Sequence, residues 1–344
     1  MLQYAKLRLT FRALSETVLP HYKGSTLASL LRTSLRRIAC SHPRWHCAAC
    51  PDQKECAYWI IAEHKTETGE STVLPYAIAC SSLDGKRYAH GDSLCFDLLL
   101  VGRALPCVPH LTAALINMQT MDLKSFPHLI SEREIREWGD PEDWPDFLRP
   151  RGRLRFEKIT QCLSNGENSV LYGPGVPLKA PVPESLSLDG TAAEGPLRVF
   201  IDFRSPTRLV RKARKDGKVV GREELIGPET FNFEIFIRAL MKRYRGLFEL
   251  HAAPVPSAWD QDMNALIRLS EAGVRQEKVL HMEKIRRYGG RQVRWRHWDG
   301  FMGKVDFLNV NGALVPLIRA GEVLHLGKSP TFGYGEYVAE FHPS

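Results

Sequence analysis

The order and patterning of apolar segments predict an α+β protein made of two units, each running strand, helix, strand, strand, helix, strand. Three observations carry this. The same element order can be read in each half, although the halves share no sequence repeat, and that order is the split βαβ, ferredoxin-like (RRM-like) plan. Between Asn165 and Pro196 the composition shifts to Gly, Pro, Ser and small residues ("YGPGVPLKAPVPESLSLDGTAAEGP"), the signature of a connection. The length of 344 residues suits two domains of ordinary size. The expected division is therefore an N-terminal domain at 1–165, a linker at 166–196 and a C-terminal domain at 197–344.

In the first unit, "MLQYAKLRLTFRAL" alternates apolar and polar residues, and a strand is expected from Gln3 to Ala13. In "STLASLLRTSLRRIAC", Leu27, Leu30, Leu31, Leu35 and Ile38 recur at helical spacing. Ser25 or Thr26 can cap that helix, and Arg36 and Arg37 suit the negative end of its dipole. A cysteine-rich insertion follows from Cys40 to Cys56. "TVLPYAIAC" and "SLCFDLLLVGRAL" read as strands, with a turn at Gly91-Asp92 before the second; "HLTAALINMQTM" reads as a helix and "RLRFEKITQCL" as a strand. In the second unit, "LRVFIDFRSPTRL" opens as a strand. "ETFNFEIFIRALMKRYRGLFEL" is a helix with Phe233, Phe236, Ile237 and Leu240 on its apolar face. "GFMGKVDFL", a short helix near "ALVPLIRAG", a glycine-rich loop at 324–336 and the strand "GEYVAEF" complete it.

The net charge of +8 and pI near 9.1 fit a polyanionic partner, provided that the cations cluster. They do. "FRSPTRLVRKARKDGK" carries Arg204, Arg208, Arg211, Lys212, Arg214, Lys215 and Lys218 against Asp216 alone. "EKIRRYGGRQVRWRHWDG" carries Lys284, Arg286, Arg287, Arg291, Arg294 and Arg296 among Tyr288, Trp295 and Trp298. Cations bind phosphates, and unpaired bases stack on rings or guanidinium planes. A solvated basic face would share this pattern, and the tryptophans suit a core as well as a base. The N-terminus lacks the layout of a signal peptide, and no apolar run reaches the length of a membrane span. A cytoplasmic protein without a membrane partner is expected.

In such a compartment the eight cysteines point to thiols or metal ligands rather than disulfides. Cys40, Cys47, Cys50 and Cys56 are spaced C-x6-C-x2-C-x5-C, with His46 as a spare donor. Four thiolates can hold a tetrahedral zinc, and an iron–sulfur cluster uses the same donors. Zinc is the first expectation, as a structural staple with no open position for catalysis. Cys80, Cys95, Cys107 and Cys162 sit in apolar segments and are expected to pack.

The closing "LHLGKSPTFGYGEYVAEF" contains Gly327-Lys328-Ser329, the ending of a phosphate-binding loop. Five residues rather than four separate Gly321 from Gly327, and Pro330, Gly333 and Gly335 follow where a helix should run. Nucleotide hydrolysis is excluded on that count, and the glycines need another explanation.

Several stretches, in order from residue 22 to 337, resemble one family: "YKGSTLASLLRTSLRRIAC" with "CAACPDQKECAYW", then "RSPTRL", "RYGGRQ" and "LHLGKSPTFGYGEY". They are similar to the CRISPR-associated endoribonucleases that process precursor CRISPR RNA, within the RAMP superfamily of repeat-associated proteins. The resemblance implies two ferredoxin-like domains with RNA held across or near their cleft. It implies a glycine-rich loop whose backbone approaches RNA, drawing in Gly327, Lys328, Gly333 and Gly335. It also implies metal-independent cleavage within the repeat, in which the 2′-OH attacks the adjacent phosphorus and leaves 2′,3′-cyclic phosphate and 5′-OH ends. Precursor crRNA is the implied partner, with other subunits of an effector complex as further candidates.

Such a reaction needs a group that takes the 2′-OH proton, one that protonates the leaving oxygen, and a cation at phosphorus. Many relatives carry a histidine on or just after the first helix, and "LLRTSLRR" has none. The candidates around this helix are His21, Tyr22, Lys23, His42, His46 and His64. His42, just past the helix end, is the first choice for acid/base work and His46 the second. Tyr22 and Lys23 would assist, Lys23 at phosphate. The other class of function is a non-catalytic RNA-binding subunit with the same fold.

Overall fold

The computed structural model describes residues 1–43, 46–63, 73–81, 87–126, 128–140, 143–144, 149–188, 195–211, 214–215, 218–219, 223–252, 259–270, 274–288 and 296–344. The first unit runs β1 (Leu2–Ala13), α1 (Gly24–Ala39), β2 (Tyr76–Ala79), β3 (Ser93–Val101), α2 (Val108–Asn117), β4 (His128–Ser131), α3 (Glu132–Trp138), β5 (Leu154–Cys162), β6 (Asn168–Tyr172) and β7 (Glu184–Leu186). Its sheet has the order β2-β3-β1-β5-β6, with β7 beside β1. The second unit runs β8 (Pro196–Thr207), α4 (Phe233–His251), α5 (Trp259–Ser270), β9 (Arg275–Glu283), β10 (Ile285–Tyr288), β11 (Gly300–Asn311), α6 (Val315–Leu324) and β12 (Tyr337–Pro343). Its sheet has the order β9-β11-β8-β12. Leaving aside β4 and β10, which form a ladder of their own, the second, third, first and fourth strands of each unit lie side by side in that order, so the tandem ferredoxin-like plan holds.

Strand alternation sorts side chains between the cores. From β1, Ala5, Leu7, Leu9, Phe11 and Ala13 enter the first core with the apolar stripe of α1. Leu2 and Tyr4 point the other way and join the second core, together with Leu99 and Val101 of β3. The second core is aromatic: Phe203, Phe231, Phe236 and Phe301 pack mostly edge to face, with centroids 4.8–6.4 Å apart. The units are also joined by backbone. In a three-stranded ladder β10 pairs with β4, Ile285 opposite Ser131 and Arg287 opposite Leu129.

Several expectations change. The segment 166–196 is more than a linker. Turned back at Gly166, β6 pairs with β5, and β7 pairs with the start of β1 where β5 has ended; residues 189–194 lie outside the described residues. α1 starts at Gly24 with Lys23 at its N-cap and no side-chain cap. Ser25 and Thr26 are instead buried within its first turn, and Thr26 Oγ1 lies 2.8 Å from His128 Nδ1. Ile38 falls off the apolar stripe and is exposed. The insertion after α1 forms short turns, a 3-10 turn at Cys47–Ala49 and a π turn at Trp59–Glu63. Cys47 and Cys56 pack against the first core. Among the described residues no group of three or more His, Cys, Asp or Glu is arranged to hold a metal ion, and Cys40, Cys47, Cys50 and Cys56 are free thiols. Cys95 is exposed on β3 rather than packed. No helix among the described residues is long and apolar enough to cross a membrane.

Candidate RNA site between the domains

A cavity of about 550 Å³ opens where the two units meet. The loop before α1 supplies His21, Tyr22 and Lys23, and α3 supplies Arg133, Glu134, Glu137 and Trp138. From the second unit come Arg204 at the end of β8, His281 and Glu283 of β9, Met302 of β11, and Phe332, Gly333 and Tyr334 of the glycine-rich loop.

Local structure fixes these groups. Ser131 and Glu134 form a reciprocal capping box at the start of α3, and Glu134 Oε1 also accepts the His21 backbone N–H at 3.2 Å. The His21 ring stands edge-on to Tyr22, with centroids 4.7 Å apart. Lys23 Nζ donates to the His21 carbonyl at 3.2 Å, and the lysine is 3% exposed. The Tyr22 hydroxyl lies 3.7 Å from Met302 Sδ. Burial, then the charge of Glu283, pushes its pKa up, so it stays a neutral phenol at any working pH. Tyr334 is raised well above its ordinary value, chiefly by burial, and its hydroxyl donates to the Trp298 carbonyl at 2.8 Å.

The glycine-rich loop closes this wall through close backbone approaches within the protein. A Cβ on Gly24 would lie 2.1 Å from the Phe332 carbonyl oxygen, and one on Gly335 would lie 1.9 Å from that of Leu326. Gly327 N-terminal to Lys328 runs against Arg208, whose carbonyl accepts the Lys328 N–H at 2.8 Å. Gly327 and Gly335 thus let the loop nest on "RSPTRL" and on itself. Of the loop glycines singled out from the sequence, Gly333 is the one that lines the cavity. Where a phosphate-binding loop would need a helix, Pro330–Phe332 makes a single 3-10 turn.

The predicted site residues divide. Tyr22, Lys23, Arg204 and Gly333 come together, with His21, in the cleft. Other predicted cations are held by the protein. Arg208 Nη1 donates to the Asp299 carbonyl at 2.8 Å, Arg211 pairs with Glu224 at 2.6 Å, and Arg286 pairs with Glu132 at 3.0 Å. Lys328 pairs with Glu223 at 2.6 Å. Arg287 lies over the Phe332 ring at 5.9 Å. Arg296 lies on the short strand Arg296–His297 beside β10. Lys212, Arg291, Arg294, Trp295 and His64 lie outside the described residues.

His42 and His46 stand beyond the other end of α1. Sixteen helical residues at 1.5 Å each separate that end from Lys23 by about 24 Å, so Tyr22 and Lys23 do not share a scissile phosphate with His42. His42 Nε2 is 3.0 Å from Asp52 Oδ2, which also accepts from Ser41 Oγ at 2.8 Å. The His42 side chain is 36% exposed, and Arg36 and Arg37 lie in the last turn of α1. Reading the sequence missed the α3 wall and the β9 pair His281 and Glu283. The S-x-x-E of "SERE" and the alternation in "RQEKVLHME" were the available signals.

Two family models match the chain. Residues 201–337 match the CRISPR-associated endoribonuclease Cas6, and residues 2–175 match a model described as an N-terminal domain. The second unit therefore carries a match to the CRISPR-associated Cas6 endoribonucleases. Solved structures share the fold at low identity. A Cas6 product complex is 13% identical over 98% of this chain and 99% of that chain, with a TM-score of 0.52. A partial Cas6–RT–Cas1–Cas2 complex is 11% identical over 99% of this chain and 46% of that longer one, with a TM-score of 0.53. No curated protein matches the chain.

Proposed function

We propose that this chain is a Cas6-type endoribonuclease that binds CRISPR repeat RNA and cuts the precursor within the repeat without a metal ion, with His42 as the acid/base group. The observation that carries the assignment is the 3.0 Å contact between His42 Nε2 and Asp52. A carboxylate accepts from Nε2, so in the neutral ring the proton sits there and Nδ1 carries the lone pair that can take a proton. The pattern is a base oriented by a third group, on a surface that a folded RNA can reach. As the 2′-OH attacks the adjacent phosphorus, His42 takes its proton. Asp52 steadies the imidazolium that forms, and Arg36 or Arg37 offsets charge building on the phosphate oxygens. The 5′-oxygen leaves with its bond to phosphorus broken and takes a proton from water, and the imidazolium later returns its own proton to solvent, giving 2′,3′-cyclic phosphate and 5′-OH ends. The cleft at the far end of α1 holds the strand. Precursor crRNA is the substrate of this reading, and other CRISPR subunits are its further partners.

End-labelled repeat RNA incubated in EDTA tests this reading, beside RNA with a 2′-deoxy group at the cut. One cut in EDTA that disappears with the deoxy substitution supports it, as does loss of cutting with retained binding in His42→Ala. Cutting lost in His21→Ala and retained in His42→Ala moves the chemistry into the cleft. Tight binding by the unaltered protein with no cut on any repeat makes it an RNA-holding subunit.

A further inference from the structure

The polar face of the first sheet is a charged feature that the cleft and α1 leave unused. Along β1, Leu7, Leu9 and Phe11 face the first core, so Lys6, Arg8, Thr10 and Arg12 face the other way. The register sets Arg8 beside Asp97 of β3 and Thr160 of β5, Thr10 beside Lys158, and Arg12 beside Arg155. Five cations therefore share one face with two carboxylates.

The depths of these charges decide what a partner meets. Arg8 grips Asp97 through Nε and Nη2 at 2.8 and 3.0 Å, and Lys6 reaches the same carboxylate at 3.3 Å. Arg12 Nε donates to Glu157 at 2.6 Å, and Arg155 stands 3.6 Å from it. The side chain of Asp97 is 11% exposed and that of Glu157 20%, whereas Lys6, Arg8, Arg12 and Arg155 are 42–52% exposed. The acids lie at the floor, each shared by two cations, and the cations form the outer layer with exposed Lys158. The arginine bonds to Glu157 hold its carboxyl below the usual range, so that carboxylate stays ionised between Arg12 and Arg155.

We propose that this face is a second RNA-binding surface, which holds the phosphodiester backbone of the strand leaving the interdomain cleft. It rests on the reading of the chain as an RNA-binding nuclease. One observation selects backbone over bases, and a second sets the face on the path of the strand. The groups between the cations are small and polar, Thr10, Cys95 and Thr160, with Cys95 Sγ 3.6 Å from Thr10 Oγ1, and they offer no ring on which a base could stack. A surplus of cations with no ring is a phosphate surface. The face also continues the cleft. Glu336 bonds to Ser81, which lines the cavity, and it feels the charges of Lys6 and Asp97.

The test is binding of the full chain to repeat RNA across a salt series, for the unaltered protein and for Arg155→Gln/Lys158→Gln. Both side chains are exposed on β5, so a melting temperature equal to the unaltered protein's is expected. Removing one cation from a phosphate of a single strand lowers the slope of log K against log salt by about 0.7, so the double variant should lose roughly 1.4. Affinity should weaken about equally for repeat and unrelated single strands, with the cleavage rate of the saturated complex unchanged. Arg8→Gln should act in the same direction. An unchanged slope and Kd in the double variant, with the unaltered protein binding normally, overturns the proposal. Failure of the unaltered protein to bind repeat RNA overturns the functional reading itself.

Discussion

The two ends of α1 carry the candidate chemistry in opposite conditions. At the N-terminal end, Lys23 is buried, Gly24 is locked against the glycine-rich loop, and Tyr22 is a neutral phenol walled in by both domains. At the C-terminal end, His42 and Asp52 pair across a surface turn, with side chains 36% and 53% exposed. One end is preorganised and enclosed, which suits positioning. The other is open, which suits a substrate that arrives as a folded hairpin. In the proposed reading, α1 thus fixes the distance between a holding site and a cutting site without either being built into the other.

The sharpest break of this comparison is His42→Ala. It should reduce single-turnover cleavage on the order of 10²–10⁴-fold and leave RNA affinity unchanged. An equal loss of binding would make the C-terminal end a contact surface only.

Acid should act on the enclosed end next. Burial lowers His128, packed on Thr26 at the start of α1, to about 3 and His325 to about 4. The unfolded chain takes up these protons near 6.5. The stability that the neutral rings contribute is therefore complete above about pH 6.5 and lost as pH falls toward the folded values. The slope is about 1.4 kcal/mol per pH unit for each histidine. Thermal melts between pH 7 and 5 should show a falling Tm, less steep in His128→Gln.

Gly24→Ala should cost about 1–3 kcal/mol, because the added carbon must push α1 away from the Phe332 carbonyl. Denaturant unfolding measures this, and an unchanged midpoint would mean that the helix end is looser than its close packing implies. The smallest effect belongs to the exposed pair Lys328 and Glu223. Glu223→Gln should change stability by about 0.2–1 kcal/mol and, by releasing the lysine, tighten RNA binding in a gel-shift assay.

Much of the fold was legible. Alternation in "LRVFIDF" and the spacing of Phe233, Phe236, Ile237 and Leu240 are local signals, and β8 and α4 follow them. The strands inside 166–196 were not, because Asn168–Tyr172 owes its pairing to the free side of β5 and has little apolar alternation of its own. The site was half legible for a related reason. Tyr22, Lys23 and Arg204 stand in recognisable stretches, whereas His281 and Glu283 reach the cleft only because β9 crosses to the first unit through the strand that follows it. Cation runs showed charge but not depth. Arg211, Arg286 and Lys328 turn out to have acidic neighbours far away in sequence or across a hairpin.

The residues that cross between the units have a thermodynamic consequence. Leu2, Tyr4, Leu99 and Val101 belong by topology to the first fold and by packing to the second core, and β4 and β10 share hydrogen bonds. Removing the second unit would strand apolar surface on the first and leave β4 without its partner. Two folds joined in this way should melt as one, in a single cooperative transition with calorimetric and van't Hoff enthalpies in agreement. Neither half is then an independent module, and a change of partner or substrate on one side must be accommodated by the other.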